Sequence, residues 1–148
     1  MSGFLLDTNV ISMLSPSKAT ATADFIAWLE EQERLNAIYL SAVTIHEIEK
    51  GVRLLEAKGA TAKAAGIEIF LRGLIVGYDD RILPVDAEVA REGGKLEAKA
   101  MSAGYNPGAA DAMIAGTASA HGLTVITANL KHFQPFGINV TSPDQLAP

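Results

Sequence analysis

Four of the chain's polar residues form a candidate set of metal ligands: Asp7, Glu47, Asp111 and Asn129. Their carboxylates and carboxamide supply oxygen ligands, and the sequence contains no cysteine. Two carboxylates about 4 Å apart repel each other by roughly 4 kcal/mol at an effective dielectric constant near 20, so a cluster of them favours a bound cation. Oxygen ligands without thiolates indicate a hard divalent ion, Mg²⁺ or Mn²⁺, rather than zinc.

Short apolar runs that alternate with longer amphipathic stretches must position these residues. We predict strands at 3–6, 37–40, 81–85, 123–127 and 138–140. We predict helices at 19–34, 42–59, 61–76, 87–102 and 109–120, with an apolar turn at 10–14, a loop at 104–108 and a second loop that contains Phe133, Pro135, Phe136 and Gly137. Alternating strands and helices without hairpin signals predict an α/β sandwich, with a central parallel sheet flanked by helices.

The predicted elements bring the four residues towards one edge of that sheet. Asp7 and Asn129 follow the first and fourth strands, while Glu47 and Asp111 lie near the beginning of two helices. Ligands of open parallel sheets bind beyond the carboxyl ends of the strands. The three acidic residues also have ordinary structural explanations, since Asp7 could cap a helix, Asp111 could favour a helix dipole and Glu47 could be solvated.

Four segments in order resemble the motifs of PIN-domain ribonucleases, and more narrowly those of the VapC toxins of bacterial toxin–antitoxin pairs. The segments are 4–12, 40–51, 110–118 and 123–129, and the resemblance extends from Phe4 to about Pro143. It implies metal-dependent hydrolysis of RNA phosphodiester bonds through in-line attack by a metal-activated water.

The resemblance also implies roles for individual residues. Asp7, Glu47 and Asp111 match the family's acidic positions and become catalytic residues and metal ligands, with Glu47 also able to hold a ligating water or act as a base. Three residues are expected to hydrogen-bond around them: Thr8, Asn9 and Thr127. Asn129 occupies the fourth catalytic position, which is commonly Asp, and Ala128 stands where many relatives carry arginine.

Composition narrows the class of protein. The 148 residues are 49% hydrophobic with a net charge of −5, which favours one domain over 1–148 and disfavours duplex DNA binding by charge alone. No targeting segment or membrane span is visible, so we expect a cytoplasmic protein. By resemblance, the expected partners are RNA, an antitoxin protein, operator DNA through the antitoxin, and a second copy of the chain in a homodimer.

Two alternatives stay open at this point. With Asn129 in the site, the chain could be a weakly active or inactive partner in an antitoxin–operator complex. An Asp-nucleophile phosphatase is disfavoured because Asn9 stands where that chemistry needs a second Asp. We expect ordinary structural roles for the remaining candidates, as core, cap, surface or non-ligand residues: Trp28, Phe133, Phe136, Asp86, Lys131, Arg53, Arg81, His46, His121 and His132.

Overall fold

The computed structural model describes residues 2–148, which form five strands and seven α-helices. The strands are β1 Phe4–Leu6, β2 Ile38–Ser41, β3 Ile82–Leu83, β4 Thr124–Ile126 and β5 Val140–Thr141. The helices are α1 Thr8–Leu14, α2 Ala23–Arg34, α3 Ala42–Ala57, α4 Thr61–Tyr78, α5 Ala87–Ser102, α6 Ala109–His121 and α7 Leu130–Phe133. Single 3₁₀ turns lie at Asp79–Arg81, Gln134–Phe136 and Pro143–Gln145.

The five strands make one parallel sheet in the order β3-β2-β1-β4-β5, which confirms the predicted α/β class. Strands β2 and β3 lie on one side of β1, and β4 and β5 lie on its other side. A reversal of strand order of this kind opens a crevice at the carboxyl ends of the two strands, here β1 and β4.

Two apolar layers cover the sheet because successive strand residues point to opposite faces. Leu5 packs with Ile114 of α6 and with residues of α5 and α7. Leu6 packs with Val10 of α1 and Trp28 of α2, in a layer that also includes α3 and α4. Trp28, Phe133 and Phe136 are buried, as predicted.

Helices α5 and α6 cross closely enough to require glycine. A Cβ atom built on Gly116 would lie 2.6 Å from the backbone nitrogen of Gly93, and one on Gly93 would lie 3.1 Å from the carbonyl oxygen of Ala112. This crossing fixes α6 against α5 and therefore the position of the acidic residue in the first turn of α6.

Side-chain caps account for several helix boundaries. Ser41 and Asp86 cap α3 and α5 through bonds from the backbone N–H groups of Val43 and Val89, which confirms the predicted cap at Asp86. The predicted helix at 19–34 begins later, at Ala23, because the Thr22 side chain accepts from Phe25 N.

Four predictions of local structure were wrong. The apolar turn at 10–14 is a helix, α1, which begins at Thr8 directly after its cap Asp7. The strand at 81–85 is limited to β3, since Pro84 has no N–H group for the ladder. The second predicted loop contains the helix α7. Arg81 is not solvated, because its guanidinium donates to Ile38 O at 3.0 Å.

None of the helices within residues 2–148 combines the length and apolar character needed to cross a membrane.

Candidate active site

Asp7 lies at the carboxyl end of β1, next to the end of β4, and is only 5% exposed. Its Oδ1 accepts from the backbone N–H of Thr8 at 2.8 Å. Its Oδ2 accepts from Thr127 Oγ1 at 2.9 Å. Both carboxylate oxygens are therefore oriented by groups from the two central strand ends.

The Asn9 side chain connects α1 to the loop after β4. The Asn9 side chain donates to Thr127 Oγ1 at 3.4 Å and accepts from the backbone N–H of Ala128 at 3.2 Å. The backbone N–H of Asn129 also donates to Thr127 Oγ1, at 3.0 Å. The Thr127 hydroxyl is thus held in place to donate to Asp7.

Glu47 is brought to the same place by α3. Thr8 Oγ1 donates to Glu47 Oε1 at 2.6 Å, and lies 3.0 Å from the hydroxyl of the buried Thr44. Thr8 therefore contacts Asp7 through its backbone and Glu47 through its side chain. Of the three residues predicted to hydrogen-bond around the carboxylates, Thr8 and Thr127 bond directly to an acidic side chain, and Asn9 bonds to Thr127.

Asp111 approaches from the first turn of α6 and meets His132 of α7. The Nδ1 atom of His132 is 3.6 Å from Asp111 Oδ2. The side-chain amide of Asn129 lies 3.2 Å from the same Nδ1 atom. Asn129 therefore contacts the site through His132.

An open cavity of about 320 Å³ gathers the three predicted carboxylates. It is lined by Asp7, Thr8, Asn9, Ser12, Lys18, Glu47, Asp111 and His132. Asn129 and Thr127 are not among the lining residues. Among the predicted site residues, Asp7, Glu47, Asp111, Thr8 and Asn9 thus share one cavity.

Three residues that line the cavity were not predicted as site residues from the sequence: Ser12, Lys18 and His132. The spacing of Asn129 and His132 was the available signal for the histidine, since residues three apart in a helical turn share a face. No comparable signal pointed to Lys18, which lies in the turn at 16–18 and brings a positive charge to the cavity.

The carboxylates of this cavity carry negative charge that the protein compensates only in part. The pKa of Asp7 is raised from its ordinary value of 3.8 to about 6, mainly by burial. The hydrogen bonds from Thr127 and Thr8 oppose this rise, while the charges of Asp111 and Glu47 add to it. Burial also raises the pKa of Asp111, His132 lowers it, and Glu47 raises it.

These residues fit a hard divalent ion held partly by water. Within residues 2–148, no three acidic or histidine side chains are arranged closely enough to hold a metal ion by themselves. Mg²⁺ is commonly bound through one or two carboxylates and several waters, so a complete protein cage is not required. The all-oxygen carboxylate set and the raised pKa values of Asp7 and Asp111 both favour binding of such an ion.

Two bacterial proteins, among others, are similar to nearly the whole chain. The VapC ribonuclease Y4jK of Sinorhizobium fredii is 35% identical over 140 residues, which cover 94% of this chain and 96% of that protein. The toxin FitB of Neisseria gonorrhoeae is 36% identical over the same length, with the same coverage.

Two solved structures of bacterial complexes are similar in fold to this chain. The crystal structure of FitAcB from Neisseria gonorrhoeae matches with a TM-score of 0.78 and 33% identity, covering 97% of this chain and 99% of that chain. The structure of FitAB bound to an IR36 DNA fragment matches with a TM-score of 0.75 and 33% identity, covering 95% and 94% of the two chains.

The family match covers the strands and helices that build the cavity. Residues 4–135 match the PIN domain, a span that includes Asp7, Glu47, Asp111 and His132. The resemblance seen in the four sequence segments is confirmed by this match and by the named relatives. The chain belongs to the PIN domain family.

Proposed function

We propose that this chain is a metal-dependent endoribonuclease that acts in the cytoplasm as the toxin of a type II toxin–antitoxin module. The observation that carries the proposal is the meeting of Asp7, Glu47 and Asp111 in one cavity of a PIN domain. The similarity to a VapC ribonuclease and to the toxin FitB supports both the reaction and the biological role.

Asp7 and Asp111 are the proposed ligands of Mg²⁺ or Mn²⁺, with Glu47 as a ligand or as the holder of a ligating water. When bound, such an ion lowers the pKa of a coordinated water and offsets charge on the phosphorus centre. Thr127 and Thr8 hold the Asp7 carboxylate in one orientation, and the Thr8 hydroxyl does the same for Glu47. Lys18 contributes a positive charge to the cavity, suited to an RNA phosphate.

An antitoxin protein is the proposed partner, with operator DNA bound through it. The similar FitAB assembly is bound to a DNA fragment, and the present chain has a net charge of −5. A net negative chain is poorly suited to neutralising DNA phosphates, so the antitoxin supplies that contact.

A homodimer is the proposed assembly of the toxin itself. Helices α3 and α4 expose large apolar side chains, including Leu54 at 55%, Ile69 at 70% and Val76 at 80%. Grouped apolar side chains on a soluble protein commonly mark an interface. Light scattering is expected to give twice the chain mass of 15.6 kDa, and a monomer at micromolar concentration would contradict the dimer.

Cleavage of RNA by the purified chain tests the proposed reaction. We expect cleavage with Mg²⁺ or Mn²⁺, none in chelator, and none from Asp7→Asn or Asp111→Asn with metal. The matched control is Asp24→Asn, which removes an exposed acidic residue from the first turn of α2. Normal cleavage by the Asp7 or Asp111 variant, or cleavage in chelator, would contradict the assignment.

Expression without an antitoxin tests the biological role. We expect growth arrest by the wild-type chain and relief of the arrest by Asp7→Ala. Arrest that persists with Asp7→Ala would show that toxicity does not arise at this site. Absence of both cleavage and arrest would favour the alternative role, as a regulatory partner in an antitoxin–operator complex.

A further inference from the structure

A second cavity lies beside the carboxylate cavity and shares two of its residues. It has a volume of about 380 Å³, and its lining includes Asp111 and His132, which also line the first cavity. The two spaces therefore meet at the Asp111–His132 contact. A chain bound across the carboxylates would extend into this second space.

The walls of the second cavity combine an aromatic ring, rigid apolar groups and a positive charge. Tyr105, which is 56% exposed, lines the cavity together with Pro107 from the same loop. Pro135, from the turn after α7, also lines it. Lys131, an exposed cation of α7, completes this set. The volume falls in the range of sites for small ligands, roughly 300–1,000 Å³.

The backbone fixes the position of Tyr105. Gly104 lies two residues after the end of α5 and has a backbone φ of +92°, in the left-handed region. Its N–H donates to Met101 O at 3.0 Å. The N–H of Tyr105 donates to Ala100 O at 3.0 Å, so the aromatic residue begins its loop from a closed helix terminus. An exposed aromatic residue held in this way can stack on a ligand with little loss of backbone freedom.

We propose that this second cavity binds one nucleotide of single-stranded RNA, next to the phosphate that lies at the carboxylates. The base stacks on Tyr105, and Lys131 contacts a backbone phosphate. Stacking on an aromatic side chain suits any base, and a lysine beside it suits the backbone of a single strand. The inference rests on the proposed nuclease function and adds to it a site for the substrate.

Binding of RNA without cleavage tests the aromatic contact. The parent is Asp7→Asn in chelator, and the probe is a short fluorescein-labelled single-stranded RNA followed by anisotropy. We expect Tyr105→Ala to raise Kd by roughly 5- to 100-fold. Tyr105→Phe keeps the aromatic ring and is expected to bind as the parent does. Met101→Ala truncates an exposed apolar residue outside the cavity lining and serves as the control.

The salt dependence of the same binding tests the lysine contact. Removal of one phosphate contact lowers the slope of log Kd against log salt concentration by roughly 0.7 for a single strand. We expect this change from Lys131→Gln but not from Tyr105→Ala. Lys95→Gln is the charge-matched control, because Lys95 pairs with Glu92 on α5 and lies outside the cavity lining.

Three outcomes with the variants would each overturn the nucleotide site. They are parent-like binding by Tyr105→Ala, equal losses in Tyr105→Phe and Tyr105→Ala, and an unchanged salt slope in Lys131→Gln. A tenfold preference for DNA of the same sequence over RNA would also overturn it. Cleavage by the wild-type chain with any of these results would leave the nuclease proposal intact. Selective losses in both variants without cleavage would support an RNA site and contradict the nuclease instead.

Discussion

The two halves of the carboxylate cavity are built in different ways. Asp7 sits at a strand end, nearly buried, with both oxygens bonded to protein groups. Asp111 sits on a helix, half-buried, with one oxygen 3.6 Å from the exposed ring of His132. We call Asp7 and its partners Thr8 and Thr127 the strand half, and its position is fixed by the sheet. We call Asp111 and His132 the helical half, and its position depends on how α6 and α7 pack.

This difference assigns separate tasks to the two halves. Burial raises the pKa of Asp7 to about 6, so the strand half holds a carboxylate that a bound cation would strongly stabilise. The helical half borders the second cavity and faces solvent, which suits contact with a substrate. We therefore expect Asp7 substitutions to affect metal binding, cleavage and stability together, and Asp111 substitutions to affect metal binding and cleavage with little change in the stability of the metal-free protein.

Substitution of the two aspartates should separate the halves most strongly. Asp7→Asn and Asp111→Asn should each lower metal-dependent cleavage by at least about 100-fold. Only Asp7→Asn should markedly stabilise the metal-free protein at pH 7.5, because the pKa rise from 3.8 to about 6 corresponds to at most about 3 kcal/mol. Thermal melts in chelator measure this. Equal melting temperatures for Asp7→Asn and the wild type would contradict it.

The sign of the pH dependence follows from the same shift. The folded-state pKa of Asp7 lies above its unfolded value, so protonation of Asp7 favours folding. Its contribution is greatest below about pH 4, decreases as the pH rises through 6, and is lost above that. The metal-free wild-type protein should therefore show this decrease, and Asp7→Asn should not.

The α5–α6 crossing positions Asp111, and a single added methyl group at Gly116 should disrupt the close packing of the two helices. Gly116→Ala places a Cβ atom 2.6 Å from Gly93 N, so the helices must separate. We expect a loss of about 1–3 kcal/mol in the free energy of unfolding, with reduced cleavage because α6 carries Asp111. Denaturant unfolding measures the loss.

The neighbouring glycine Gly94 provides the matched control for that substitution. A Cβ atom at Gly94 meets nothing within 4 Å, so Gly94→Ala should stabilise α5 by about 0.5–1 kcal/mol. Equal effects of Gly116→Ala and Gly94→Ala would show that the crossing is not close.

The Thr127 hydroxyl can be removed to alter the strand half alone. Thr127→Val removes the bond that lowers the pKa of Asp7, so the pH-dependent loss of stability should move above pH 6. The buried groups left without a partner should also cost about 1–3 kcal/mol. Thr127→Ser keeps the hydroxyl and should behave as the wild type. An unchanged pH midpoint in Thr127→Val would contradict the role of this bond.

Asn129→Asp should have the smallest effect and acts on the helical half. It adds a negative charge beside His132, which contacts Asp111, so divalent-metal affinity should rise by about 10-fold or less. Calorimetric titration measures the affinity. Asn139→Asp changes the net charge equally at an exposed loop position and is the control. No gain in metal affinity for Asn129→Asp would show that residue 129 does not influence the metal.

The strand half was easier to predict from the sequence than the helical half. Short apolar runs predicted β1 and β4, and residues that follow such strands must lie at the sheet edge, which located Asp7 and Asn129 there. The short helix α7 left no periodic pattern to recognise, because four residues make barely one turn. His132 was therefore assigned no contact with Asp111.

Contacts between segments that are distant along the chain also could not be predicted from the sequence. The bond between Thr8 and Glu47 joins residues 39 positions apart and depends on how α1 packs against α3. Lys18 lines the cavity through the path of an irregular segment. The acidic positions and the hydroxyls of Thr8 and Thr127 were predicted, whereas the particular bonds they make and the cation Lys18 came only from the structure.

Counting the protons released on metal binding tests whether Asp7 is the buried anchor for a divalent ion. Calorimetric titration with Mn²⁺ at pH 6, in two buffers of different ionisation enthalpy, counts the protons released. With a pKa of about 6, Asp7 should release roughly half a proton per ion at pH 6 and almost none at pH 8. Asp7→Asn should abolish this release and weaken binding. Binding of equal affinity to Asp7→Asn, with the same proton release, would contradict the account.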